Sequence, residues 1–273
     1  MGAIDFIALL AAGCVGGFLA GFLGIGGGII YLLVFPFFLN RLGIPAGQLV
    51  QYTIANSIFG ILFASLSGVV ALIKTRRFYL RETLFIGSAG IVLAMLLLQT
   101  VVHTTWYSVE AFNVVVILLL SFLLYNTLRN ANRKQRFVRE RPARPLHMLL
   151  TGCASGAVAA LSGLGGGVVV IPILNSLFRM NIKKAKSISL GVIGITSFAM
   201  TIYHLAGAPQ TVATSTFTLG YIAFAMVLPV VLGVVLMAPV GVKLSKRTPS
   251  YLISYIFALF IVIVIVRKSA DFF

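Results

Sequence analysis

The stretch FLGIGGGIIYLLVFP, Phe22–Pro36, sets four glycines, Gly24, Gly26, Gly27 and Gly28, inside an otherwise apolar run. A glycine in a helix interior costs about 1 kcal/mol relative to alanine, so the cluster predicts a break. The surroundings make that break unusual. Of the 273 residues 60% are hydrophobic and 10% are charged, whereas a soluble domain carries about a quarter charged residues. Apolar runs of about 20 residues, the length that spans a hydrocarbon core, recur along the chain. The composition predicts an all-α polytopic membrane protein whose glycines interrupt a helix at membrane depth.

The break occurs twice. GCVGGFLAGFLGIGGGI from Gly13 matches GCASGAVAALSGLGGGV from Gly152 without a gap, at an offset of 139 residues, about half the chain. The match pairs Gly24, Gly26, Gly27 and Gly28 with Gly163, Gly165, Gly166 and Gly167, and Cys14 with Cys153. Further on it weakens: RLGI at Arg41 echoes RMNI at Arg179, and Ser57 falls near Ser197. Each half reads as a glycine-broken pair of short segments followed by three spans. In the first half (1–128) these are 3–23 with 28–40, then 51–73, 82–102 and 107–128, with Pro36 ending the broken pair. In the second half (147–273) they are 147–162 with 167–178, then 187–206, 215–238 and 250–266. Residues 129–146 form a basic cytoplasmic linker between them, suited to anionic lipid.

Charge selects the topology. If each broken pair is a hairpin that enters and leaves on one side, each half makes three crossings and the second half is inverted. The basic segments Lys74–Arg81, Arg129–Arg144, Arg179–Lys186 and Lys243–Arg247 then share a face, with 18 Lys and Arg against 3. Were each pair a single span, the tally would be 13 against 8. The positive-inside rule favours the inverted arrangement, with both termini outside and the basic loops in the cytoplasm. Inverted repeats with discontinuous helices at matched positions point to a secondary transporter whose site lies near the bilayer midplane.

Several other functions lose support. The formal charge of +16 comes from short loops between spans and not from one soluble face, which speaks against a nucleic-acid partner. The start, MGAID, lacks the basic region of a cleavable signal peptide, and Phe6 stands where a myristoylation signal carries Ser or Thr. Two cysteines inside apolar segments make no disulfide framework; they read as small residues at helix crossings. The acids Asp5, Glu82, Glu110, Glu140 and Asp271 all lie near span ends or loops, so neither a carboxylate proton relay nor a cation site is expected. No metal-ligand cluster, cofactor motif or nucleophile–base pair suggests an enzyme. Of the histidines, His103 and His147 read as solvated at opposite interfaces, and His204 as a candidate for proton coupling.

The chemistry therefore rests on backbone. Helices starting at Ile29 and Val168 would aim their first amides, and the positive end of the helix dipole, into the break, which makes an anion site without Arg or Lys. Glycine suits such a turn because it accepts positive φ and lets a ligand approach the backbone. Hydroxyls and amides on the next spans could complete an oxyanion shell. Asn56 and Ser57 are the preferred pair, with Thr196 and Ser197 as their counterparts, among the nearby Gln51, Tyr52, Thr53, Ser187, Ser189 and Tyr203. The competing reading of the glycines is packing, and GFLAG at Gly17–Gly21 fits the small-xxx-small pattern.

The paired motifs AGFLGIGGGIIYLLVFP and AALSGLGGGVVVIPIL resemble the sulfite exporter family of the TauE/SafE type, over essentially the whole chain. The resemblance implies a prokaryotic inner-membrane transporter of sulfite, a sulfonate or a related sulfur-containing anion, with export as the favoured direction. The halves differ in one respect: Pro172 follows the second break closely, whereas Tyr31 lies in the first and is placed to reach the site. Coupling to protons or sodium, oligomeric state, a passive anion channel on the same helix ends, and a membrane scaffold whose glycines only pack helices all stay open at this level.

Overall fold

In the computed structural model, residues 2–74, 78–104, 107–131, 145–209 and 217–270 are described. Among these described residues ten α-helices follow in order: α1 (Ala3–Leu23), α2 (Gly28–Arg41), α3 (Leu49–Ile73), α4 (Leu80–Leu97), α5 (Val109–Ala131), α6 (Pro145–Ser162), α7 (Gly167–Ser176), α8 (Ile182–Ala206), α9 (Phe224–Arg247) and α10 (Ser250–Ala270). A π-helical turn, Leu98–Val102, extends α4, and a two-stranded antiparallel hairpin, β1 (Thr218–Leu219) and β2 (Ile222–Ala223), leads into α9. Seven of the described helices are long and apolar enough to cross a membrane. Large apolar side chains such as Val92, Leu118 and Leu236 are exposed on the perimeter, while Asn56, Ser57, Ser189 and His204 are fully buried. That distribution suits lipid as the solvent, which offers a polar side chain no partner and so leaves the apolar ones outermost. The chain is an integral membrane protein.

The packing is the same when the first five helices are exchanged for the last five. The first helix of each half lies on the fourth of the other, α1 on α9 and α6 on α4; α3 meets α8, and α5 meets α10. The first two crossings are close. An added Cβ on Gly13, Gly17 or Gly21 would collide with the backbone of Val230, Val234 or Ala238, and one on Gly152 or Gly156 with that of Ile86 or Gly90. These glycines are packing residues of the small-xxx-small kind.

Both broken pairs turn back on themselves. Arg41, at the end of α2, forms a 3.0 Å ion pair with Asp5 at the start of α1. In the second half the His147 ring at the start of α6 meets Phe178 just beyond α7.

Several boundaries differ from those expected. Pro36 lies within α2, which runs on to Arg41. The α8 helix begins at Ile182, since the Asn181 side chain caps it by accepting from the Lys183 amide at 2.9 Å. Lys183, Lys184 and Lys186 therefore sit on a helix instead of in a loop. The expected span 215–238 is displaced to Phe224–Arg247, because Thr218–Ala223 form the hairpin and the helix runs through Pro229 and Pro239. Most of the basic linker, 132–144, lies outside the described residues.

Candidate functional site

Gly24 closes α1 and Gly163 follows α6, both in the left-handed conformation with φ of 79° and 64°. Gly26 and Gly165 repeat it, with φ of 91° and 76°. Four such turns are open to glycine at little cost, and an L side chain would be strained at each. The halves then diverge by one residue: Gly27, which caps α2, has φ of 74°, whereas Gly166, which caps α7, is right-handed at −59°. Neither cap provides a side-chain acceptor. The first amides of both helices begin at the break, and part of them are met within the turns: Ile30 N–H donates to the Gly27 carbonyl at 3.1 Å, Val168 N–H to that of Gly165 at 3.5 Å and Val169 N–H to that of Gly166 at 3.1 Å.

The two breaks meet. Positions where Cβ atoms would sit on Gly26 and Gly165 both lie within 4 Å of Ile61 and of Ile193, and that on Gly28 lies 2.9 Å from the Gly163 carbonyl. Ile61 and Ile193 stand near the middles of the 25-residue helices α3 and α8, so the junction is at half the height of the bundle. All ten residues of Gly24–Gly28 and Gly163–Gly167 are buried, as are Ile29 and Val168 in the first turns that follow.

Each break is held by a hydroxyl from the other half. Ser57 Oγ donates to the Gly163 carbonyl at 2.7 Å, and Ser189 Oγ donates to the Gly24 carbonyl at 2.9 Å. The counterpart of Ser57 is thus Ser189 and not Ser197. Gly167, at the start of α7, also packs against Ile193 and the Ser189 hydroxyl. Thr196 and Ser197 bond back to carbonyls of their own helix, Val192 and Ile193. Asn56 lies one residue from Ser57 but is turned to the β1–β2 hairpin. Its Nδ2 donates to the carbonyls of Tyr52 (2.7 Å) and Tyr221 (3.0 Å), and its Oδ1 accepts from the Ala223 amide (2.9 Å). Tyr31 fills the space between Gly16 and Gly60, stacked on Phe35 with ring centroids 5.3 Å apart, and its buried hydroxyl has no protein partner. Cys14 and Cys153 are free thiols, half-buried.

Two polar regions lie outside the breaks, built around residues that the sequence points to singly and only the fold brings together. At the end opposite the lysines, His103 packs 4.9 Å from Tyr221 and 5.8 Å from His204 between ring centroids, with Tyr203 beside it. His103 is therefore not a solvated interface residue, and burial pushes its imidazole below the usual range. Both ring nitrogens of His204 are buried without a protein partner. At the basic end, Lys186 is 8% exposed, and its Nζ donates to the Phe22 carbonyl and to Ser245 Oγ, each at 3.2 Å. Asn181, capping α8, was the available signal that these lysines belong to a helix.

A bundle of membrane-crossing helices whose two discontinuous elements meet at mid-height has the architecture of a membrane transporter. Sequence comparison gives the same class. A model of the sulfite exporter TauE/SafE family matches residues 9–267, so the chain belongs to that family. It is 25% identical over 256 residues to a probable membrane transporter protein of Methanocaldococcus jannaschii, covering 91% of each chain. It is also 23% identical to a probable membrane transporter protein of Haemophilus influenzae, over 94% of this chain and 96% of the relative. A third relative, the probable membrane transporter protein YunE of Bacillus subtilis, is 23% identical over 74% of this chain and 79% of its own.

Proposed function

We propose that the protein is a secondary transporter of a small sulfur-containing anion, sulfite or an organosulfonate, which it exports across a prokaryotic inner membrane by alternating access. The observation that carries this reading is the junction of the two breaks: two helix starts without side-chain caps, brought together at mid-height. Helix-start amides and the positive ends of two helix dipoles at one buried point suit an oxyanion. The anion is held by the amides that follow Gly24–Gly28 and Gly163–Gly167. Ser57 and Ser189 fix the carbonyls of the turns, so that the donors and not the acceptors face the ligand.

The halves act as inverted repeats that rock against each other about the Ile61–Ile193 contact. The return of each hairpin to its own starting end supports three crossings per half, and the positive-inside rule then puts the lysine-rich end in the cytoplasm with both termini outside. Sulfite takes up a proton near neutral pH, so proton linkage needs no buried carboxylate; sodium linkage is the alternative coupling. The family name supports sulfur anions as the substrate class.

The test is counterflow in proteoliposomes of purified protein, preloaded in turn with sulfite, sulfoacetate, taurine, thiosulfate, sulfate and chloride. The expected result is saturable exchange of one sulfur oxyanion or sulfonate, with thermal stabilisation of the detergent-solubilised protein by the same anion. Large unsaturable flux without exchange would make it a channel. Absence of both exchange and stabilisation across the panel would overturn the anion reading.

A further inference from the structure

We infer that the cavity at the lysine-rich end is a binding site for the transported oxyanion, with Lys186 as its fixed cation; this rests on the anion-transport reading above. The cavity, about 280 Å³, is lined by Lys183, Lys184, Lys186 and Lys246 with Asn181 and Ser187, and among the described residues no Asp or Glu contributes to its wall. Its volume admits a small anion with some of its water. It stops beside the first break: Gly21, three residues before Gly24, lines it, and the Lys186 stem stands between, its Cβ and Cγ 3.1 Å from where a Cβ on Gly24 would be.

Lys186 needs an explanation that structure alone does not supply. Its two partners, the Phe22 carbonyl and the Ser245 hydroxyl, are neutral. An ammonium carries three N–H groups, so one remains for a ligand. Burying an ammonium without a carboxylate is costly, and three further lysines around the same cavity add to that cost. A bound anion offsets both.

The bland alternative is that Lys186 merely caps the end of α1. The other half of the molecule argues against it. Three residues before Ser189 stands Lys186 against Gly24; three residues before Ser57 stands Ile54 against Gly163. The Phe22 carbonyl corresponds to that of Leu161, and there the donor is the phenol of Tyr107 at 2.6 Å. Likewise Lys183 Nζ donates to the Lys246 carbonyl at 3.2 Å, where the first half uses Gln51 Nε2 on the Val102 carbonyl at 3.0 Å. Neutral side chains thus satisfy the equivalent carbonyls at the opposite end. Capping does not require charge, and the charge is confined to one of two otherwise matched places. The opposite end has a buried lysine of its own, Lys268, but it donates to Asn113 Oδ1 at 3.0 Å and not to the matched carbonyl; Lys186 and its neighbours raise the anion concentration at the basic mouth.

A phosphate headgroup presents the same chemistry as a free oxyanion, so transport is measured in two lipid backgrounds, phosphatidylcholine alone and phosphatidylcholine with phosphatidylglycerol. In oriented proteoliposomes, KM for the anion identified by counterflow is determined from each side for wild type, Lys186→Met, Lys186→Arg, Lys183→Gln and Ile54→Met. From the basic side we expect Lys186→Met to raise KM about tenfold or more, Lys186→Arg to restore most of it, and the surface variant Lys183→Gln to raise it about threefold. The opposite side and Ile54→Met should stay within about twofold. Should Lys186→Met fail to fold, Lys183→Gln carries the test, with anion-induced thermal stabilisation as its second readout. Wild-type transport with both lysine variants unchanged overturns this site while leaving the transporter reading intact. An effect seen only with phosphatidylglycerol assigns the cavity to a lipid headgroup and overturns it too. A wild type that neither transports nor is stabilised by any anion removes the parent reading, and this one with it.

Discussion

The Ser57 hydroxyl donates to the Gly163 carbonyl at 2.7 Å, tying the third helix of one half to the turn that ends the sixth helix in the other. Ser189 and Gly24 make the reciprocal contact at 2.9 Å. At membrane depth a carbonyl released from a helix must find a donor inside the protein. Each broken helix is therefore completed by the opposite half, and neither half is a self-sufficient unit at its own break.

Ser57→Ala and Ser189→Ala should each leave a buried carbonyl unsatisfied, a loss of about 1–3 kcal/mol. In a detergent melting experiment each should lower Tm by several degrees. Ser65→Ala is the control, because Ser65 only bonds back to the Leu62 carbonyl of its own helix, and it should shift Tm by a degree or less. Equal shifts for all three would mean that the two cross-half bonds contribute nothing special.

Space and backbone conformation separate two kinds of glycine. A Cβ on Gly17 would strike the Val234 backbone, whereas Gly43, with φ of 76°, has nothing within 4 Å. Gly17→Leu should abolish the monodisperse peak in size-exclusion chromatography. Gly43→Ala should give a normal peak and lose only the left-handed strain, about 1–2 kcal/mol.

Acid should weaken the His103 cluster. Burial holds the His103 pKa below its ordinary value, so protonation favours the unfolded chain. The contribution is complete above the unfolded-state pKa, about 6.5, and declines as pH falls from there toward the folded-state value. Melting at pH 7.5 and pH 5 should show a larger acid loss for wild type than for His103→Phe, which keeps a ring against Tyr203, His204 and Tyr221. An identical loss in both would place the acid sensitivity elsewhere.

The breaks were legible because four glycines in five residues, repeated at the same offset, leave a mark that apolar packing does not imitate. The partners of the breaks were harder to read. Between break and third helix the second half is shorter, so the offset falls from 139 at Gly13 and Gly152 to 132 at Ser57 and Ser189. A constant offset of 139 led to the neighbourhood of Thr196 and Ser197 instead. Asn56 stood out as a polar residue in an apolar span, but polarity does not say whether the demand is met by substrate or by backbone. Here the hairpin carbonyl and amide of Tyr221 and Ala223 meet it. The α9 register and the start of α8 were obscured by proline and lysine, which ordinarily mark helix ends; Pro229 and Pro239 lie inside α9, and Asn181 draws three lysines onto α8.

Ile61 and Ile193 close the junction, since each lies within van der Waals reach of both Gly26 and Gly165. If the anion passes there, these two side chains set the room available as the halves rock. Removing one methylene from either costs only about 0.5–1.5 kcal/mol, so Ile61→Val and Ile193→Val should remain folded. The extra space should favour the larger anion: in counterflow, the ratio of KM for sulfite to KM for sulfoacetate should rise in both variants and further in the double variant. A change confined to Ile61 would mean that the halves do not share the passage equally. A fall in Tm with no change in that ratio would make the pair ordinary core and move the passage away from the glycine junction, because no anion could cross between Gly26 and Gly165 without meeting them.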